Sequence, residues 1–141
     1  MATGDPSPDQ RSPGGAQRRE LPSDLPFTRS QLAGIEQALA AATRRTGLNI
    51  SIYLGDLGTG TRARAEQLLD STGEQAADAV LVAVSPGQRV VEVVTGQAAR
   101  RRLTDRGCRL VVMSMVASFE QGDLGAGLVN GLRMLADQAV R

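Results

Sequence analysis

The chain has 141 residues, which is enough for one domain. Its 16 basic and 15 acidic side chains give a net charge of +1, so no strong electrostatic field attracts the whole molecule to nucleic acid or membrane. It has no histidine, one cysteine, two phenylalanines, one tyrosine and no tryptophan. This composition excludes Ser–His–Asp triads, Cys–His catalysis, ordinary zinc sites and an internal disulfide, and it argues against base stacking and sequence-specific nucleic-acid binding.

The first 24 residues differ in composition from the rest of the chain. Pro, Gly, Ser, Gln and Arg dominate them, and they lack the apolar side chains that would offset the loss of chain entropy on folding. We predict a disordered tail over residues 1–24 and a folded domain over 25–141. The N-terminus is not apolar and no apolar run reaches about 18 residues, so we expect a cytoplasmic protein without a transmembrane segment.

The folded part opens with a helix and a strand. Thr28 and Gln31 form a capping-box pattern, and apolar residues recur behind them at helical spacing until Gly47. Residues 48–54 alternate and carry β-branched side chains, which predicts a strand. A glycine-rich turn and a second helix, from Thr61 to about residue 72, should follow.

A central hairpin is predicted next. Residues 79–84 are apolar on both faces, as in a strand that helices cover from two sides. The Ser-Pro-Gly-Gln turn and the strand over 90–95 complete an antiparallel hairpin. If Ser85 faces Gln88, Asp78 lies opposite Thr95, although a bulge could shift this register by one residue.

The remaining residues are predicted to be helical, in segments of about 97–103, 105–120 and 124–140. Thr104 and Asp123 are suitable N-caps for the last two helices, and Gly122 is a suitable stop between them. Strands that lie between helical segments predict a layered α/β fold.

Several short motifs in this order resemble the TPM-domain family. They are Thr46-Gly47 before a strand, Thr95-Gly96, Leu103-Thr104-Asp105, and Phe119-Glu120-Gln121-Gly122-Asp123 with Gly127 and Gly131 behind. The resemblance covers about residues 25–140 and is greatest for a short, soluble actinobacterial branch of unknown function. It implies a three-layer α/β/α sandwich with a small mixed sheet. It also implies one of three roles, phosphatase activity, calcium binding or assembly, that have been attributed to members of the family.

The resemblance places a candidate metal site at Asp78 and Asp105, where carboxylate oxygens could hold Ca²⁺. This sequence has Val94 where relatives commonly have a carboxylate, and Arg100 where they have a glutamate. The loss of two ligands and the gain of a cation weaken such a site. Capping of a strand and of a helix is therefore our preferred interpretation of Asp78 and Asp105, and we expect no cofactor.

Three other positions need both a functional and a structural interpretation. Asp56 lies in a glycine-rich loop at the end of a strand, where ligands of open α/β sheets often bind, but a simple turn also explains it. Glu92 interrupts an apolar strand and should reach solvent or an arginine on an edge strand. Cys108 is expected to pack in the core rather than act as a nucleophile.

The largest local charge feature is a group of arginines around the start of a helix, Arg100, Arg101, Arg102, Arg106 and Arg109. Guanidinium groups match phosphates and carboxylates, so these side chains could bind an anionic ligand, surface or protein partner, although a solvated face is the simpler interpretation. The sequence favours a non-catalytic binding or assembly module. The alternative is a metal-dependent phosphatase, which the missing histidines, lysines and acidic ligands make less favourable.

Overall fold

The computed structural model of the protein describes residues 27–139, apart from the side chains at 74 and 75. The predicted tail over residues 1–24 therefore lies outside the described residues. Within them the chain forms four α-helices, three strands and two short 3-10 helices. In chain order the elements are α1 (Arg29–Thr46), β1 (Asn49–Leu54), α2 (Thr61–Asp70), a 3-10 helix (Gly73–Asp78), β2 (Ala79–Ser85), β3 (Val90–Thr95), a 3-10 helix (Ala99–Arg101), α3 (Asp105–Glu120) and α4 (Leu124–Ala139).

The strands form one mixed sheet in the order β1-β2-β3. β1 runs parallel to β2, and β3 runs antiparallel to it. Every residue of β2 is buried, which confirms the prediction that this uniformly apolar strand is central and covered on both faces.

The predicted hairpin register is wrong by two residues. Ser85 pairs with Val90 rather than facing Gln88, and Thr95 pairs with Val80, so Asp78 does not lie opposite Thr95. The turn is wider than the predicted one because it ends at Arg89, which has a positive φ of 58°. A residue in this left-handed conformation cannot continue a strand, so β3 begins only at the next residue.

Helices cover both faces of the sheet. One face packs α2 and the loop before it against a small cluster that includes Leu57, Leu69 and Leu81. The other face packs α1, α3 and α4 against the larger core, in which Leu132 and Val82 are fully buried. The predicted three-layer α/β/α sandwich with a small mixed sheet is thus confirmed.

The helix ends follow local sequence signals. Thr28 and Gln31 exchange both capping-box hydrogen bonds, Thr104 accepts from the Gly107 amide, and the Asp123 Oδ1 atom accepts from the Ala126 amide. Each of these contacts supplies a partner to an end group that the helix itself leaves unpaired. The predicted caps are confirmed.

Two predicted helices are shorter than expected. α2 ends at Asp70 and gives way to a 3-10 helix, and the segment predicted over 97–103 contains only the 3-10 helix Ala99–Arg101. The second prediction is wrong because this connection must turn from the end of β3 to the N-cap of α3 at Thr104. The chain accomplishes this with tight turns rather than with a regular helix.

Candidate functional site

The free edge of β3 is closed by two arginines. Along β3, residues whose backbone N–H and C=O groups bond to β2 alternate with residues whose groups point away from it. Val93 and Thr95 belong to the second set. The Arg62 guanidinium donates to the Val93 carbonyl at 3.2 Å, and the Arg100 guanidinium donates to the Thr95 carbonyl at 3.3 Å. Arg100 therefore donates one hydrogen bond to a sheet edge, although the residue is exposed.

Glu92 shares this arrangement. Its carboxylate accepts a hydrogen bond of 2.7 Å from the Thr61 hydroxyl and lies 3.7 Å from the Arg62 guanidinium. The Glu92 side chain is only 18% exposed, so these partners compensate for part of its desolvation. The prediction that Glu92 reaches an arginine from an edge strand is confirmed, and its role here is structural.

Arg102 also has an internal partner. Its guanidinium donates to the Ala139 carbonyl at the C-terminal end of α4. A cation is favourable at this end because the helix dipole is negative there and the last carbonyls have no partner within the helix. Two of the four predicted anion-binding arginines, Arg100 and Arg102, are thus occupied by backbone carbonyls.

The other members of the arginine group remain available. Arg101, Arg106 and Arg109 are exposed, and among residues 27–139 none of them has an ion-pair or hydrogen-bond partner. Arg106 and Arg109 are followed at helical spacing by Leu110 and Met113, which places the four side chains on one face of α3. We refer to Arg106, Arg109, Leu110 and Met113 as the α3 surface.

Exposed apolar side chains distinguish the α3 surface from the rest of the described surface. Leu110 is 49% exposed and Met113 is 66% exposed, and no other large hydrophobic residue among those described is comparably exposed. Single exposed apolar residues are common, but a neighbouring pair beside unpaired arginines is typical of a contact surface. The helical spacing of these four residues was visible in the sequence, but their exposure was not, because most of α3 is apolar.

The two candidate metal ligands are exposed and lie at the ends of helical elements. Asp78 ends a 3-10 helix just before β2, and Asp105 lies in the first turn of α3. The amides of Gly96 and Ala98 donate to the carbonyls on either side of Asp78, which brings the loop that leads to Arg100 beside it. Within the described part of the chain no group of three or more His, Cys, Asp or Glu side chains is arranged to hold a metal ion.

The remaining candidates are placed in ordinary structural settings. Cys108 is buried, and burial raises the pKa of its thiol, as does the nearby Asp105 carboxylate, while Arg62 and Arg100 lower it. The raised pKa keeps the thiol protonated near neutral pH, as a packing role requires. The Asp56 carboxylate accepts from the Gly58 amide at 3.0 Å, which is the hydrogen bond of a local turn.

A groove that the sequence did not reveal lies between α1 and the start of α4. It is open to solvent, has a volume of about 370 Å³, and is lined mainly by small and amide side chains, including Gln31, Gly125 and Asn130. The close approach of α1 to the glycine-rich start of α4 creates it. Its only described carboxylate, Asp123, caps α4, so the groove has no charged group free to orient a ligand.

The fold and these surfaces define the molecule as a small α/β/α sandwich domain with a basic, partly apolar helix surface. None of the described helices is both long enough and apolar enough to cross a membrane. The model of the family described as "Domain of unknown function (DUF5130)" matches residues 10–136, and the chain belongs to this family.

Two relatives and two solved structures are similar to this chain. Uncharacterized proteins of two Mycobacterium tuberculosis strains, Rv2468c of H37Rv and MT2543 of CDC 1551, are each 38% identical over 117 residues, which is 83% of this chain and 70% of theirs. The NMR structure of the BA42 protein from Bizionia argentinensis has a TM-score of 0.72 at 17% identity, covering 84% of each chain. The N-terminal domain of a protein from P. gingivalis has a TM-score of 0.69 at 19% identity, covering 79% of this chain and 74% of that one. These structural similarities show the fold alone.

Proposed function

We propose that this domain is a non-catalytic binding or assembly module that contacts an acidic protein partner through the α3 surface. The observation that carries the proposal is the placement of two unpaired arginines, Arg106 and Arg109, on the same helix face as the exposed Leu110 and Met113. Of the arginine group predicted from the sequence, Arg106 and Arg109 lie on this surface, Arg101 lies outside it, and Arg100 and Arg102 donate to backbone carbonyls.

The chemistry of the α3 surface supports a partner of this kind. Burial of a leucine or methionine side chain contributes roughly 1.5–3 kcal/mol relative to full exposure, so the apolar pair can supply affinity. Guanidinium groups form directed, charge-assisted bonds with carboxylates and thereby set orientation and association rate. An amphipathic helix with leucines on one side and flanking carboxylates has the matching pattern, and helix-to-surface docking of this kind is a common recognition mode.

An Arg106→Glu, Arg109→Glu double variant should lose binding to such a partner. The probe is a synthetic amphipathic helical peptide with acidic flanks, titrated into ¹⁵N-labelled protein. We expect wild-type shift changes confined to the amides of residues 106–113 and a reduction of at least about tenfold in affinity in the variant, because one or two charge-assisted contacts of about 1.5–3 kcal/mol each are lost. Binding should weaken as added salt shortens the Debye length below about 8 Å.

The matched control is Arg29→Glu, Arg64→Glu, which changes the net charge equally at two exposed positions on α1 and α2. This control should retain wild-type affinity. A peptide in which lysines replace the acidic residues should not bind, and phosphatidylserine vesicles should not displace the acidic peptide. Equal affinity in both double variants, or equal binding of the basic peptide, would contradict the proposal.

The relationship to the TPM family is also a proposal. Its support is that the shared motifs occupy defined positions in this fold: Thr104 caps α3, Asp123 caps α4, and Gly96 lies tightly against the chain that precedes β2. A motif whose residues are caps and close packing contacts belongs to the fold and does not by itself imply a shared activity.

Calcium should bind weakly or not at all. Val94 is buried and apolar, Arg100 donates to a carbonyl beside the candidate site, and Asp78 and Asp105 alone provide too few oxygen ligands for the six to eight that Ca²⁺ prefers. In a calcium titration followed by NMR, the amide signals of both aspartates should show no saturation below about millimolar concentrations. Micromolar affinity with shift changes at both positions, abolished by Asp78→Asn, Asp105→Asn, would reverse this conclusion and favour the phosphatase alternative.

A further inference from the structure

The outer edge of β1 has no strand partner among residues 27–139. The Gly55 amide donates to the Val84 carbonyl, so in this parallel pair the odd-numbered residues of β1 direct their backbone groups toward β2. The N–H and C=O groups of Ile50, Ile52 and Leu54 then point outward. Among residues 27–139 no strand pairs with this edge, since β1 is the terminal strand of the sheet.

The two edges of the sheet differ in their charged residues. The β3 edge is closed by Arg62 and Arg100 and carries Glu92 within the strand. β1 has the sequence Asn-Ile-Ser-Ile-Tyr-Leu, with no charged residue and no proline. Natural proteins usually protect an exposed edge with charge, proline, a bulge or a cover, so an unprotected edge of high β-propensity is a strand-pairing site.

The side chains along this edge are incompletely covered. Ile50 is buried beneath the helices, but Ile52 and Leu54, on the same face, are only partly buried. Tyr53 on the opposite face is also partly buried. A strand added beside β1 would cover both its backbone groups and these half-exposed side chains.

We propose that β1 pairs antiparallel with β1 of a second copy of the chain. Outward-pointing residues must face one another in such a pair, and a two-fold axis at Ile52 satisfies this condition because it places Ile50 opposite Leu54. Each of these facing pairs can exchange two N–H···O=C bonds. The sheets of the two copies then form one continuous sheet. The β3 strands, whose edges bond to Arg62 and Arg100, lie at its outer ends.

The distribution of charge favours a second copy over an unrelated strand. In this register Asp56 of one copy lies level with Leu48 of the other, just beyond the last turn of α1, which carries Arg44 and Arg45. Asp56 and Arg44 are both exposed, and the two-fold axis repeats this opposite-charge juxtaposition at each end of the pair. No charged residue within β1 faces its symmetry mate, so pairing brings no like charges together.

Facing side chains provide a test by charge reversal and rescue. Ser51 of one copy lies opposite Tyr53 of the other in the proposed register. Ser51→Lys, Tyr53→Lys places lysines opposite lysines at both symmetric positions, whereas Ser51→Lys, Tyr53→Glu places opposite charges there. Both variants lose the same tyrosine, so any effect of its removal on the fold is matched.

Sedimentation equilibrium over micromolar to millimolar concentrations gives the readout. We expect a concentration-dependent dimer for the wild type, a dimerisation constant weakened at least about tenfold in the lysine–lysine variant, and recovery in the lysine–glutamate variant. Arg106→Glu, Arg109→Glu should dimerise like the wild type, which separates this surface from the α3 surface. A monomeric wild type at all concentrations, or equal dimerisation of the two Ser51/Tyr53 variants, would refute the proposal.

Amide hydrogen exchange tests the register without any substitution. In the dimer the amides of Ile50, Ile52 and Leu54 should become protected as concentration rises, while those of Ser51 and Tyr53, which are bonded to β2, should be protected at every concentration. β1 pairing would be contradicted if the protection of all five amides did not depend on concentration. It would also be contradicted if the Ile52 amide stayed unprotected in a sample that sedimentation shows to be dimeric.

Discussion

A Gly96→Ala variant should be destabilised by more than about 3 kcal/mol, at the upper end of the cost of overpacking. A Cβ atom at this position would lie 1.7 Å from the Ala76 carbonyl oxygen and 2.6 Å from that of Ala77. Both are backbone atoms, so no side chain can rotate away, and the Gly96 amide is itself held by the Ala79 carbonyl at 2.9 Å. Relief therefore requires moving the connection between β3 and α3 away from the 3-10 helix that precedes β2.

The matched control for this prediction is Gly34→Ala. Gly34 lies inside α1, and an added Cβ would meet no atom within 4 Å. The same chemical change should therefore stabilise the protein by about 0.5–1 kcal/mol through helix propensity and reduced unfolded-state entropy. Urea denaturation followed by circular dichroism measures both effects, and opposite shifts of the two midpoints are expected. Similar midpoints for both variants would show that the backbone at Gly96 is not tightly held.

Local signals in the sequence were sufficient to predict much of the fold. The capping box at Thr28, the cap at Thr104 and the stop at Gly122 depend on contacts within a few residues, and each was predicted correctly. The position of β2 in the sheet was also predictable, because a strand that is apolar on both faces needs cover on both sides.

The hairpin register and the partners of the arginines could not be predicted. The hairpin register depends on the left-handed conformation of Arg89, a residue type that gives no signal for it. The roles of Arg62, Arg100 and Arg102 depend on which backbone carbonyls the folded chain brings within reach. A run of arginines in a sequence cannot distinguish such internal donors from those that face solvent.

The proposed α3 surface coincides only in part with the arginine group predicted from the sequence. It contains Arg106 and Arg109 from that group and adds Leu110 and Met113, because exposure decides which side chains a partner can reach. The helical spacing of these residues is present in the sequence, but it did not single out Leu110 and Met113. It could not show that the side of α3 they occupy is the one that does not face β3 and α4.

A Leu132→Ala variant should lower the free energy of unfolding by about 2–5 kcal/mol, because Leu132 is completely buried in the larger core between the sheet and the helices α1, α3 and α4. Truncation removes apolar contacts and leaves a cavity that the tightly packed α3 and α4 cannot readily fill. The same substitution at Leu110, which is 49% exposed, should change stability by no more than about 0.5 kcal/mol. Urea denaturation of the two variants gives this comparison directly.

The Leu110→Ala variant also connects stability to binding. If the α3 surface serves a partner, this variant should unfold like the wild type yet bind the acidic amphipathic peptide more weakly, since its truncated side chain contributes only in the complex. Leu132→Ala should show the reverse, with unchanged affinity in whatever fraction remains folded. A Leu110→Ala variant that is destabilised as much as Leu132→Ala would mean that the folded chain itself covers Leu110, and the α3 surface would then be closed to a partner.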